Sequence, residues 1–223
     1  MPVNLHLFSS PGEDDLRYIV DASRPYFEGR DEPTLAYLPM ASLSDNWRLY
    51  TEKCFSGLAR VETVNTETMT FPEMENILRK AHALFIPGGN TFLLNHRLHV
   101  SRLNIYLRKK LQAGLPLLGS SAGSILCGPN IMTSRDMNML QTPHFDGLNL
   151  LPFNLHAHYY DDVYKDDWLN DYHVFESNPV ILLEDGAYLR VDGKKTSLLR
   201  GAAWILRRGQ EKEKLPVGSQ ILL

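Results

Sequence analysis

The sequence predicts an α/β fold, a doubly wound and mostly parallel sheet with helices on both faces and an antiparallel edge at its carboxy-terminal end. Three observations predict it. Short apolar runs alternate with longer amphipathic stretches through the first half, the order that builds parallel strands with crossover helices. Two of those runs end in glycine-rich turns that lead into helical patterns, Pro87-Gly88-Gly89-Asn90 and Gly119-Ser120-Ser121-Ala122-Gly123. The carboxy-terminal part switches to short segments separated by Asp192-Gly193 and Arg200-Gly201, which are hairpin signals.

Taken in order, Asn4 to Phe8 reads as the first strand, and Asp14 to Tyr26 as a helix with Leu16, Ile19 and Val20 at helical spacing. Thr34 to Leu38 is the second strand. Asp45 is placed to cap a helix through Trp47, Tyr50, Cys54 and Phe55. Arg60 to Val64 is the third strand, and Pro72 stands where a first-turn proline is tolerated, ahead of Met74, Ile77 and Leu78. Ala83 to Ile86 is the fourth. One long helix is expected from Thr91 to about Gln112, closed by Ala113-Gly114, followed by the strand Leu115 to Leu118. After Pro129 the prolines 143, 152 and 179 punctuate the chain, and the region reads as one strand, Leu151 to His158, with long loops. Ala187 to Val191, Ser197 to Leu199 and Ala203 to Leu206 complete the set.

The composition fits a globular domain spanning residues 1–223, with 43% apolar and 22% charged residues among 223. The formal charge of −3 and a pI near 6.2 lack the basic excess that nucleic-acid binding draws on. Arg97, Arg102, Arg108, Lys109 and Lys110 then read as the solvated face of the long helix. Two cysteines, Cys54 and Cys127, are too few for a disulfide framework or a zinc ribbon. No signal peptide and no apolar run of roughly 18 to 20 residues is visible, so a cytoplasmic protein without membrane contact is expected.

The strongest local signal is the apolar strand running into Gly119-Ser120-Ser121-Ala122-Gly123 and then a helix. A Gly-x-Ser-x-Gly in that context is a nucleophile elbow, whose glycines allow a sharp turn that presents Ser121 at the end of the sheet and at a helix amino terminus. The bland alternative is a glycine-rich turn that binds phosphate or merely turns the chain. Gly88, Gly89 and Asn90 follow another strand end, and their backbone amides, with that of Ala122, are candidates for an oxyanion hole. A nucleophilic serine needs a base, and spacing does not choose among His82, His96, His99, His144, His156, His158 and His173. His156 and His158 share one face of the expected strand, and the alternatives for them are metal ligation or plain burial. No metal-ligand motif accompanies them.

Four blocks in order, Pro87 to Phe92, Gly119 to Gly123, Thr133 to Met137 and Leu148 to Tyr159, resemble peptidase E, the aspartyl dipeptidase family of serine peptidases. The resemblance implies a flavodoxin-like sheet akin to the class I glutamine amidotransferases, with serine in place of their cysteine. It also implies hydrolysis of a small peptide through an acyl-enzyme, without metal or organic cofactor. Carried across by position, Ser121 looks like the nucleophile, His158 the base and Asp136 the orienting acid, with Gly89 and Ala122 supplying oxyanion amides. Glu184 and Asp185 fall near a second acidic position and stand behind Asp136. One departure concerns specificity. The family's segment after the histidine contains an arginine associated with a substrate carboxylate, whereas Tyr159 to Phe175 carries Asp161, Asp162, Asp166, Asp167 and Asp171 and a single cation, Lys165. An acidic mouth of that kind repels an acidic side chain and favours a cationic amino terminus. Other readings on the same fold are a cyanophycinase-like or other amidase and a catalytically silent small-ligand binder.

Overall fold

The computed structural model describes residues 2–10, 16–44, 47–161 and 167–221. Its larger sheet has eight strands in the order β12-β9-β8-β1-β5-β4-β2-β3. These are β1 (Asn4–Phe8), β2 (Thr34–Tyr37), β3 (Arg60–Thr63), β4 (Ala83–Ile86), β5 (Leu117–Ser120), β8 (Tyr188–Asp192), β9 (Lys195–Arg200) and β12 (Gln220–Ile221). The five strands from β1 to β3 in that order are parallel, and β8, β9 and β12 add an antiparallel edge. Every residue of β2, β4 and β5 is buried, which is why these strands read as apolar runs rather than as an alternation.

The helices that join these strands are α1 (Arg17–Ser23), α2 (Arg48–Phe55), α3 (Phe71–Lys80), α4 (Thr91–Val100), α5 (Leu103–Gln112) and the single turn α6 (Ala122–Ile125). The start of α3 shows how local sequence sets a boundary. Thr70 N–H donates to Glu73 Oε2 at 2.7 Å and Pro72 occupies the first turn, a capping box that satisfies an otherwise orphaned amide. The Asp14 start and the Asp45 cap expected from sequence lie outside the described residues.

Three expectations are corrected. The long helix is two helices, because Ser101 Oγ donates back to Arg97 O at 2.7 Å and Arg102 takes a left-handed φ of +58°. Arg97 does not belong to a solvated face: it is 9% exposed, and its guanidinium donates to Glu67 Oε1, Met40 O and Ser42 O. The region after Pro129 is more ordered than a strand with loops. It contributes β6 (Asn154–His156), α7 (Asp167–Phe175) and β7 (Val180–Leu183), and with β10 (Ala203–Leu206) and β11 (Glu213–Lys214) it builds a second sheet in the order β11-β10-β7-β6.

Asp192-Gly193 does turn a hairpin between β8 and β9, whereas Arg200-Gly201 carries the chain from one sheet into the other. Gly201 is required there, since its φ is +77° and an added Cβ would lie 2.6 Å from Ala187 Cα. One apolar cluster runs between the sheets, from Leu5, Leu117 and Ile125 to Leu155, Ile181 and Ile205. It fixes β6 and β7 against α6, the placement on which the site depends.

Candidate active site

Strand register brings the site together. Phe8 is level with Ser120, and Ile86 with Gly119, so the turns that leave β1, β5 and β4 emerge side by side at the carboxy ends of the parallel strands. Ser121 tops the middle one, with φ +50° and ψ −111°, a strained conformation that a non-glycine residue adopts only when its surroundings enforce it. Its N–H donates to Phe8 O at 2.9 Å, and its C=O accepts from Ser124 N and Ile125 N. The flanking glycines are steric necessities. A Cβ on Gly119 would come within 2.8 Å of Gly123 O, and one on Gly123 within 2.1 Å of Ile86 O. Ser124 is fully buried and donates to Phe8 O and Gly119 O, so among the serines of this turn it acts as a brace.

Ser121 Oγ lies 2.8 Å from His158 Nε2, and His158 Nδ1 lies 2.7 Å from Asp185 Oδ1. A carboxylate accepts at Nδ1, which assigns the proton there and leaves Nε2 free to accept from the Ser121 hydroxyl. His158 follows the end of β6 and is held left-handed, φ +58°, by a bond from its own N–H to Ser9 Oγ at 2.8 Å. Ser9, the buried residue after β1, donates in turn to Leu183 O and approaches Asp185 Oδ1 at 3.3 Å. Tyr160 adds a bond from its hydroxyl to Asp185 Oδ2 at 3.0 Å, and the adjoining carboxylate raises the Tyr160 pKa above the usual phenol range. Both oxygens of Asp185 are therefore engaged. The array can move a proton from the serine hydroxyl to an imidazole whose developing charge is faced by a carboxylate.

Asp136 is elsewhere. Its Oδ2 accepts from Thr91 N and Thr91 Oγ1, each at 2.7 Å, and from Ser134 Oγ at 2.9 Å, which makes it a cap on α4. The carboxylate on His158 is Asp185, and Asp136 is corrected to that capping position, because Thr133 to Met137 packs against the start of α4. Asn90 is also a cap, accepting from Leu93 N and donating to Met137 O. Glu184 joins through its backbone, donating to Ala202 O and accepting from Ala187 N. His156 and His158 do not share a face: His156 is buried with Nδ1 on Thr133 O at 2.9 Å, and the strand ends there. Among the described residues no group of three histidine, cysteine or acidic side chains is arranged to hold a metal ion.

The remaining wall is backbone. Gly88 sits against Ser121, where an added Cβ would be 3.1 Å from the serine Cβ. Gly89 has φ +133°, and a Cβ there would meet Ala41 O at 2.5 Å, so only glycine lets the chain pass. Ala122 is the first residue of α6 and its N–H has no intrahelical acceptor. At one turn, α6 offers this local N–H rather than a long helix dipole. Gly88, Gly89, Ser121 and His158 line one cavity of about 390 Å³.

Residues 5–199 match the model of peptidase family S51. The chain belongs to peptidase family S51. It is accordingly a serine-type peptidase. "Peptidase E" of Shewanella oneidensis is 31% identical over 232 residues, covering 99% of this chain and 98% of that protein. A Drosophila melanogaster protein named "Probable alpha-aspartyl dipeptidase" is 32% identical over 238 residues, covering 99% and 97%. A crystal structure of a peptidase from an acI-B1 actinobacterium shares the fold with a TM-score of 0.76 at 18% identity, covering 100% of this chain and 98% of that one. A Listeria monocytogenes structure described as peptidase E gives a TM-score of 0.73 at 22% identity, covering 90% and 100%.

Sequence reasoning missed Ser9 and Tyr160 and ranked Asp185 second. The signal for Ser9 was its place just beyond a parallel strand, Phe8-Ser9-Ser10, where α/β sheets carry their sites. Asp161, read as part of an acidic mouth, is paired with Lys212 at 2.6 Å. Asp167 lies in α7 with Asp171, and Asp162, Lys165 and Asp166 lie outside the described residues.

Proposed function

We propose that the chain is a dipeptidase of the peptidase E type, hydrolysing short peptides at a free amino terminus through an acyl-enzyme. The observation that carries the reading is the continuous relay Ser121 to His158 to Asp185. In this mechanism the turn at Ser121 serves as a nucleophile elbow. The Ser121 oxygen attacks the scissile carbonyl while His158 Nε2 takes its proton. Asp185 holds the ring with Nδ1–H toward itself and offsets the imidazolium charge. The carbonyl oxygen becomes an oxyanion facing the Gly89 and Ala122 N–H groups, which stabilise it without reorganising. His158 then passes its proton to the departing amine, and a water activated by the same nitrogen releases the acyl group. As proposed, each of these steps uses only groups of the chain, the substrate and water.

The catalytic unit is read as one domain over residues 1–223, supported by the apolar cluster shared between the two sheets. A cytoplasmic setting suits Cys54 and Cys127, which are both free thiols. Among the described residues no helix is long and apolar enough to cross a membrane. A fluorophosphonate probe and a dipeptide-library screen test the reading together. Wild type is expected to label and to hydrolyse, and Ser121→Ala to do neither, with turnover falling roughly 10³-fold or more. Comparable turnover in the two proteins would refute it.

A further inference from the structure

The cavity beside Ser121 is lined by apolar and aromatic side chains together with the side chains of Ser10, Ser42 and Ser120. Leu16, Trp47, Tyr50, Phe85 and Pro87 wall it. Trp47 and Tyr50 meet edge to face with 5.9 Å between ring centroids, and Trp47 is 58% exposed, a large apolar surface presented at the entrance. Thr51 also lines the cavity and is 1% exposed, and among the described residues its Oγ1 has no hydrogen-bond partner. A buried hydroxyl in that state is costly unless something meets it.

We propose that this cavity takes a neutral aromatic or large aliphatic side chain of the peptide, with Trp47 and Tyr50 as specificity-determining residues. The inference rests on the peptidase reading above and names its substrate class. A ring or a branched aliphatic chain entering beside Trp47 removes apolar surface on both partners from water and finds the edge-to-face geometry that aromatic pairs favour. The Thr51 hydroxyl can meet one neutral polar group at the tip of such a side chain. An aspartyl side chain brings little apolar surface to meet Trp47, and its carboxylate would exchange hydration for walls formed in part by apolar and aromatic side chains.

Binding and turnover are measured separately, so that failure of the chemistry and failure of the specificity are told apart. Calorimetry on Ser121→Ala with Phe-Ala, Leu-Ala, Asp-Ala and the reversed dipeptides reads the cavity without catalysis. Phe or Leu peptides are expected to bind at least tenfold more tightly than the Asp peptide in one of the two orders. Wild-type kcat/KM should follow the same ranking. Trp47→Ala should cut the Phe value by about tenfold, the discrimination one well-filled apolar contact supplies, while fluorophosphonate labelling of Ser121 keeps its rate. Asp peptides bound as well as or better than Phe and Leu in both orders would overturn the proposal, as would a Trp47→Ala that weakens all peptides alike. A wild type that binds the Phe peptide with this preference yet neither labels nor hydrolyses would instead refute the peptidase reading and leave the cavity assignment standing.

Discussion

Replacing Asp185 by asparagine tests which carboxylate orients the histidine. The substitution keeps the side-chain volume and removes one negative charge, 2.7 Å from His158 Nδ1 at its nearest oxygen. Two opposite charges about 4 Å apart at an effective dielectric near 20 attract by roughly 4 kcal/mol. The side chains of His158 and Asp185 are 48% and 38% exposed, so solvent lowers that figure, and roughly 2 to 4 kcal/mol of transition-state stabilisation is at stake. That corresponds to about 30- to 1000-fold in kcat/KM, below the roughly 10⁴-fold known for a fully buried triad carboxylate. The amide can also turn its NH₂ toward Nδ1 and favour the wrong tautomer, which acts in the same direction. Asp136→Asn is the control, since that residue accepts bonds from Thr91 and Ser134. It should leave kcat/KM within about threefold and cost about 1 kcal/mol of stability, the usual value of a helix cap. Steady-state kinetics on a dipeptide and urea unfolding on both variants decide the matter. A larger loss of kcat/KM in Asp136→Asn than in Asp185→Asn would refute the reasoning.

His6 is enclosed by burial and lies near the Arg190 charge, and both effects lower its pKa from 6.5 to about 3; its two ring nitrogens meet Tyr188 and Tyr26 hydroxyls at 2.6 Å. A histidine that stays neutral when folded but protonates when unfolded gives stability that is full above the unfolded pKa and lost as pH falls below it, so about 2 kcal/mol should disappear between pH 7 and pH 5, and His6→Gln should flatten that slope in urea unfolding. Gly123→Ala would force a Cβ to within 2.1 Å of Ile86 O, and thermal unfolding should show a loss of several kcal/mol or no soluble protein. Arg97 holds the carbonyls of Met40 and Ser42, and Ala41 O between them accepts from Asn90 N beside Gly89. Arg97→Ala should therefore destabilise by about 2 kcal/mol through the carbonyls it leaves unpaired and raise KM, whereas a variant at exposed Lys109 should do neither.

The local sequence was enough to specify the parallel strands, the proline-marked start of α3, the turn around Ser121 and the glycine-rich passage at Gly88 and Gly89. Each of these is decided within a few residues, by apolar burial on both strand faces, by a first-turn proline, or by a backbone path open only to glycine. The blocks around Ser121 and His158 pointed to a serine and a histidine that the structure places 2.8 Å apart. The break at Ser101-Arg102 was not legible, because its cause is a serine hydroxyl turning back on the helix in a stretch without glycine or proline. Neither was the burial of Arg97, whose carbonyl acceptors Met40 O and Ser42 O come from a loop more than fifty residues away in sequence. Asp136 and Asp185 look alike in sequence, two carboxylates in polar turns. Only the tertiary structure separates them: the second sheet sets β7 beside β6, so the turn after Leu183 delivers Asp185 to the histidine that follows His156, while Asp136 is drawn to the bare amides at the start of α4. Helix caps and strand ends are local, but which carboxylate meets which imidazole depends on how two sheets dock across a shared apolar core.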